Sequence, residues 1–165
     1  MDKHTAVIAD KMLVNKAVAA EDVTFELPEL ALQTADIAAM GTLSLPLVGL
    51  LDDMTMTVTR VGVDKGYANT IKLEKLEIEF RWVQDVVAAN GTVSHKGCKA
   101  FLNCIPQSIP GVSVEIGSAS EMQNSYTVTR YQLMYDGAEI LLVDRLNQIL
   151  KVNGKDYMAD IKKLL

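Results

Sequence analysis

Cysteine, histidine and aromatic side chains are scarce in this sequence, and each shortage removes a class of protein. Two cysteines in 165 residues cannot build a disulfide scaffold. Cys98 and Cys104 share one predicted strand, where their spacing amounts to roughly 20 Å. A disulfide needs Cα atoms within about 7 Å, so both read as small apolar fillers. The only histidines are His4 and His95. Without a Cys/His cluster they cannot supply the three or four ligands of a metal site. His4 lies near the start of the sequence and is expected to fray. His95 falls in a predicted strand with no acidic or nucleophilic neighbour at a suggestive spacing, and reads as an ordinary surface or half-buried side chain. Aromatics make up 5% of the chain, few for a module that binds carbohydrate by stacking. Basic residues are outnumbered 16 to 21, giving a net charge of −5 and a pI near 5.0. A surface that grips phosphate backbones needs clustered cations and is not expected.

Long apolar runs are missing too. None reaches the roughly 18–20 residues that cross a bilayer. The segment Thr5–Ala20 is interrupted by Asp10, Lys11, Asn15 and Lys16 and lacks the compact apolar stretch of a signal peptide. The expectation is a soluble protein made in a reducing compartment, without membrane insertion. Catalytic motifs are equally thin. Gly62–Gly66 lacks the spacing and the closing Gly-Lys-Ser/Thr of a phosphate-binding loop and reads as a turn. There is no Gly-x-Ser-x-Gly, and the adjacent Asp52 and Asp53 read as solvated loop charges. No catalytic, cofactor-binding or metal-ligating residue is assigned, and no cofactor is expected. An interaction or assembly protein is favoured over an enzyme.

What is present is strand periodicity punctuated by turns. The length fits one domain over residues 1–165, against about 150 residues per domain. Asn90-Gly91, Asp136-Gly137 and Asn153-Gly154 are dipeptides that accept the positive φ angles of type I′ hairpin turns. Leu76, Ile78, Phe80 and Trp82 alternate with Glu77, Glu79 and Arg81. Lys99, Phe101 and Asn103 alternate with Ala100, Leu102 and Cys104. Thr127, Thr129, Tyr131, Leu133 and Tyr135 share one predicted face. Ala138–Val143 and Leu146–Val152 read as strands, as do Val23–Leu27, Met54–Thr59 and Val112–Ile116. Most of these have one apolar and one polar face, the mark of antiparallel sheets packed on one side. The fold class is mainly β: an antiparallel β-sandwich or barrel with one or two short helices. Tyr157–Leu165 reads as a C-terminal helix with Lys162 and Lys163 in its last turn, where the dipole favours cations. Asp64–Leu73 is a second candidate. Residues 5–20 fit a helix by their alanines and a strand by Val7 and Ile8.

One segment has no obvious home. Leu30–Asp53 carries loop residues (Gly41, Pro46, Gly49) together with Leu43, Leu45, Leu47, Leu50 and Leu51. A solvated loop of a monomer is not usually so apolar. Either it packs over its own core or another chain covers it.

The strings Tyr131–Asn147 (YQLMYDGAEILLVDRLN) and Lys151–Ile161 (KVNGKDYMADI) resemble the major tail tube protein of contractile-tailed bacteriophages. Val23–Leu30 (VTFELPEL) is similar to that family's strand ending in Leu-Pro-x-Leu. Asp53–Thr59 and Ile105–Gly117 fit a following strand and an inter-strand linker, in the same order. The first twenty residues depart most. The resemblance implies a structural subunit whose six-membered rings stack into a hollow tube inside a contractile sheath. R-type bacteriocins use a similar tube, and the type VI secretion tube protein has a similar fold. The implied partners are other copies of the chain, the sheath protein, and the baseplate, tape-measure and tail-terminator proteins. DNA would pass through without specific binding. The implied location is a virion tail or bacteriocin particle, built from protein made in the bacterial cytoplasm. On this reading residues 30–53 form a long assembly loop, with Leu43, Leu45, Leu47, Leu50 and Leu51 in inter-subunit contact. Glu77, Glu79 and Glu115 are candidates to line the lumen, where carboxylates would repel phosphate within a screening length of about 8 Å. The competing expectation is a monomeric β-sandwich that binds a ligand or a protein.

Overall fold

The computed structural model describes residues 1–165. From the N-terminus the strands are β1 (Lys3–Val14), β2 (Ala17–Glu21), β3 (Thr24–Glu26), β4 (Leu32–Ala38), β5 (Thr42–Leu51) and β6 (Thr55–Val61). Helix α1 (Lys65–Thr70) precedes the long strands β7 (Leu76–Val87), β8 (Val93–Pro106) and β9 (Glu121–Tyr135). Strands β10 (Ala138–Asp144), β11 (Ile149–Val152) and β12 (Lys155–Asp156) follow, then helix α2 (Ala159–Lys163). A ten-stranded sheet runs β12-β11-β10-β9-β8-β7-β1-β2, with β6 joined to β9 and β3 to β6. Strands β4 and β5 form a separate two-stranded sheet. The architecture is mainly antiparallel β with two short helices, as the alternation predicts. The sheets stay open, with no closed barrel, because β2 and β12 remain free edges.

Strand β9 belongs to two layers. Its first half pairs with β6 and its second half with β10, while β8 runs along much of its length. Phe25 on β3 then stacks on Phe80 of β7 at 4.1 Å between ring centroids and meets Trp82 edge-on at 5.6 Å. Between the layers lies a core that includes Met12, Phe80, Leu102, Tyr126, Val128 and Val143. Polar groups buried beside it bond to one another, while Asn124 Oδ1 and Arg60 Nε have no partner. Asn124 Nδ2 donates to Tyr126 Oη at 3.0 Å, and that hydroxyl donates to the Thr70 carbonyl at 3.0 Å. Burial without such partners would cost each group about 1–3 kcal/mol.

The two-layer role of β9 requires a break in its alternation. Asn103 pairs with Arg130 but Cys104 pairs with Val128, so Thr129 is an extra residue bulged out of the ladder. Met122, Asn124, Tyr126 and Val128 are buried before the bulge, and Tyr131 after it. The expected common face of Thr127, Thr129, Tyr131, Leu133 and Tyr135 is therefore wrong for Thr127 and Thr129. A strict period of two cannot register a one-residue insertion.

Turn chemistry divides the predicted hairpins. Asp136-Gly137 and Asn153-Gly154 have positive φ at both positions, as a type I′ turn demands. At Asn90-Gly91 only the glycine does. The Gly91 amide donates to the Ala88 carbonyl and the Ala88 amide to the Thr92 carbonyl, both at 2.9 Å. This is the three-residue alternative, a type I turn closed by a left-handed glycine. Residues 5–20 are two strands of a hairpin, joined at Asn15 and Lys16, which both have positive φ. Most of β1 is exposed up to Ala9, which blurs its hydrophobic period. Val112–Ile116, expected as a strand, belongs instead to the loop 107–120 between β8 and β9. Its alternating apolar residues meet no partner strand.

Both helices stand where the sequence puts them. Asp64 caps α1 by accepting the Tyr67 amide at 2.8 Å and the Arg60 guanidinium at 2.7 Å. Gly66 is required at its position, because a Cβ there would lie 1.9 Å from the Ala19 carbonyl oxygen. No helix is long and apolar enough to cross a membrane.

Candidate assembly surfaces

The apolar segment expected as a loop is a β-hairpin. Strands β4 and β5 pair from Leu32–Leu51 at the root to Ala38–Thr42 at the tip. Alternation sorts its two faces. Ala35, Ile37, Leu43 and Leu45 fall on one side, and Thr34, Asp36, Thr42 and Ser44 on the other. Ser44 donates to the Asp36 carboxylate at 2.5 Å on the polar side. The apolar side is left to water, with Leu43 45% and Leu45 42% exposed.

The root of the arm is held firmly. Arg145 donates to the Leu51 and Asp52 carbonyls, each at 2.9 Å. Gly49, with φ of 97°, bends β5 where a Cβ would sit 2.7 Å from the Met158 sulfur. Of the five leucines expected in contacts, Leu43, Leu45 and Leu50 are exposed, Leu47 is half-buried, and Leu51 packs partly against the core. Leu43 and Leu45 act together on the apolar face. Leu50 lies beyond the bend and lines a cavity of about 490 Å³ between the hairpin root and α2.

The three expected carboxylates do not form one group. Glu77 and Glu79 share the polar face of β7, opposite Asn103 and Phe101. Glu77 lies 3.6 Å from Lys75, and Glu79 lies 2.6 Å from Arg81, so each is paired with a cation. Glu115 is in the loop 107–120, remote from β7 in the sequence and on no strand.

Sheet register reveals a feature that the sequence hides. Lys11 opposes Arg81, and Arg81 opposes Lys99, so three cations stand side by side on β1, β7 and β8. Directly opposed like charges are destabilising. A cavity of about 580 Å³ opens over this row. Register also gives His95 an acidic neighbour, because Asp85 lies directly opposite at 2.5 Å. No local spacing pattern predicts either pairing.

Neither cysteine is activated. Burial pushes the Cys104 thiol up to about 12. Burial, then the Asp136 charge, raises Cys98. Both are protonated near neutral pH and poor nucleophiles. No group of His, Cys, Asp or Glu is arranged to hold a metal ion. At Asp144 burial acts upwards, but hydrogen bonds from Asn147 and Leu146 outweigh it and hold the carboxyl below its ordinary value. Its bonds to the Asn147 amide and side chain, at 3.1 and 2.8 Å, shape the turn before β11.

Fold and surfaces together define a class: an open antiparallel β-sheet protein with a projecting, one-sidedly apolar hairpin. The model of the phage tail tube protein FII family matches residues 9–165, and the chain belongs to that family. Its role is that of a structural tail tube protein. Two solved structures share the fold. One is the sheath/tube terminator of an extracellular contractile injection system, PVC, in the extended state. It has 14% identity and a TM-score of 0.53, over 79% of this chain and 96% of that one. The other comes from the sheath-tube complex of the same system, with 14% identity and a TM-score of 0.51, over 76% and 87%. No curated protein sequence matches the chain.

Proposed function

We propose that this chain assembles into six-membered rings that stack as the hollow inner tube of a contractile tail, inside a sheath. The observation that carries this reading is the hairpin's uncovered apolar face. A two-stranded hairpin is marginal in water by itself, and here Ile37, Leu43 and Leu45 are exposed together. A neighbouring copy that covers them supplies the missing layer. Such a heterologous contact closes into rings when the rotation closes. Leu43, Leu45 and Leu47 are the hairpin residues assigned to that contact, with Leu50 and Leu51 at its base. The sheath subunit, baseplate, tape-measure and terminator are the remaining partners of this role.

The conduit wall in this reading is the polar face of β7, β8 and β9, where Glu77 and Glu79 stand among Arg81, Asn103, Arg130 and Gln132. Charges of both signs stand there, with Arg81 and Lys99 side by side near the two carboxylates. Such a mosaic neither repels a polyanion strongly nor releases enough counterions to trap it. DNA therefore slides through without a specific site.

Negative-stain electron microscopy of concentrated protein tests the reading. The expected result is rings or tubes roughly 80–100 Å wide, a size set by six domains of this mass. Featureless monomers at every concentration would favour a monomeric binding module. Replacing Leu45 and Leu47 with Asp should leave a folded monomer and abolish the rings. Rings that persist would reject the hairpin contact. Tight binding of duplex DNA by assembled tubes would reject the sliding wall.

A further inference from the structure

We propose that Arg145 is the positioning residue of the β4–β5 arm: its guanidinium, together with Met158 beneath Gly49, sets the direction in which the arm offers Ile37, Leu43 and Leu45. The covering of that face by a neighbouring copy rests on the tube reading above. The aiming of the arm stands on the geometry of the single chain.

The arm is a cantilever. No strand outside the hairpin runs beside β4 or β5, so its direction is decided at its base. The outer ladder is regular from Ala38–Thr42 down to Thr34–Pro46. Between that rung and the root pair Leu32–Leu51 the register breaks, with Gln33 alone facing residues 47–50. Pro46 brings no amide to the last rung before the break. Gly49 lies inside the break with φ of 97°, a left-handed conformation that glycine adopts without a Cβ penalty. A few residues of this kind at the end of an element absorb the rotation of everything beyond them. A single rung therefore ties the outer ladder to the root, and the angle is set by whatever holds β5 on either side of the break.

Two holds act there. Arg145 Nη2 donates to the Leu51 carbonyl and Nη1 to the Asp52 carbonyl, both at 2.9 Å. Successive carbonyls of a strand point to opposite sides, so one guanidinium reaches both only because the chain turns at the end of β5. The fork thereby fixes that turn. The second hold is Met158, whose sulfur lies against Gly49 inside the break. Arg145 is itself anchored through the bulge of β9. The Thr129 carbonyl accepts the Arg145 amide at 3.0 Å, and the adjacent Val128 amide donates to the Met54 carbonyl at 2.9 Å. The bulge thus grips both the turn that carries Arg145 and the chain that leaves the arm.

The fork is placed to aim the arm, not to support the body. Arg145 is exposed and forms no ion pair, and its guanidinium bonds only to the two carbonyls. Losing it leaves the core untouched and frees the turn at Leu51 and Asp52. A lysine there keeps the charge but has no fixed fork to span both carbonyls. An arm aimed before contact also spends less ordering entropy on docking than one that the contact must order.

Distances measured in the dilute chain test the aim. Spin labels are attached at Ala39→Cys on the arm tip and Ala89→Cys beside the β7–β8 turn, both exposed positions, while Cys98 and Cys104 are buried. The parent should give one narrow distance distribution. Arg145→Ala and Arg145→Lys should each widen it by about twofold or more, with the thermal midpoint within about 4 °C of the parent. Without labels, each should lower the sedimenting tube fraction by about tenfold or more, because a wandering arm costs ordering entropy on contact. A distribution as narrow as the parent's in either variant overturns the proposal. So does a larger fall in the midpoint, since Arg145 would then support the whole fold. Parental tubes from a chain with a widened arm overturn it as well, and leave the tube reading standing. If the unaltered chain forms no tubes, the tube reading falls, while the widths still decide whether Arg145 aims the arm.

Discussion

Asp64 does two jobs at the N-terminus of α1, and both depend on its charge. The Tyr67 amide donated to its carboxylate, and secondarily the Arg60 guanidinium, hold its pKa below the ordinary 3.8. The folded state thus binds this proton more weakly than the unfolded chain. The stabilisation is complete above about pH 4 and is lost as pH falls through the lowered folded value. Asp64→Ala should reduce the unfolding free energy by about 1 kcal/mol at neutral pH, read from urea midpoints. The deficit should fade in strong acid. Gly66→Ala should cost about 1–3 kcal/mol, because the added methyl meets backbone and not a flexible side-chain end. At roughly 2–4 °C per kcal/mol for a chain of this size, the thermal midpoint should fall by roughly 2–12 °C. Asp64 and Gly66 were legible as a turn leading into a helix. The clash that demands Gly66 was not, since Ala19 is distant in sequence and arrives only through the packing of β2.

Local alternation made most strands legible, and its failures at the level of elements have physical causes. Runs with one wet and one dry face, such as Leu76–Trp82, declared themselves. The β1–β2 hairpin did not, because Lys16 is no turn signal and the start of β1 is wet on both faces. Residues 112–116 alternate like a strand yet have no neighbour to pair with. The hairpin of β4 and β5 was visible as an anomaly of composition before its form was known. Its exposure predicts an unequal response to mutation. Leu45→Asp, on the exposed face, should change monomer stability by less than about 1 kcal/mol. Leu51→Asp, packed against the core, should cost about 2–4 kcal/mol, since it buries a charge without a partner. Urea titration of the two monomers checks the difference.

At the scale of the whole molecule, the proposed assembly would add a stabilising equilibrium. The proposed rings would form from folded chains only, so the thermal midpoint should rise with protein concentration. A midpoint constant over a hundredfold concentration range would contradict self-association. The buried thiols predict a second whole-chain property. Cys98 and Cys104 should resist alkylation near pH 8 in the folded protein and react fully in denaturant, as mass spectrometry would report. Long-range register was the part of the architecture the sequence withheld. Nothing local marks Lys11, Arg81 and Lys99 as neighbours, and nothing local marks the bulge at Thr129. That bulge gives β9 two reading frames: even-numbered side chains enter the interior before it, odd-numbered ones after it. Deleting Thr129 would merge the frames and still leave Val128 and Tyr131 facing inwards with Arg130 outwards, because Thr129 is the residue the ladder skips. Losing one residue elsewhere in β9 would instead exchange the two faces on one side of the loss, a heavier insult than most substitutions there.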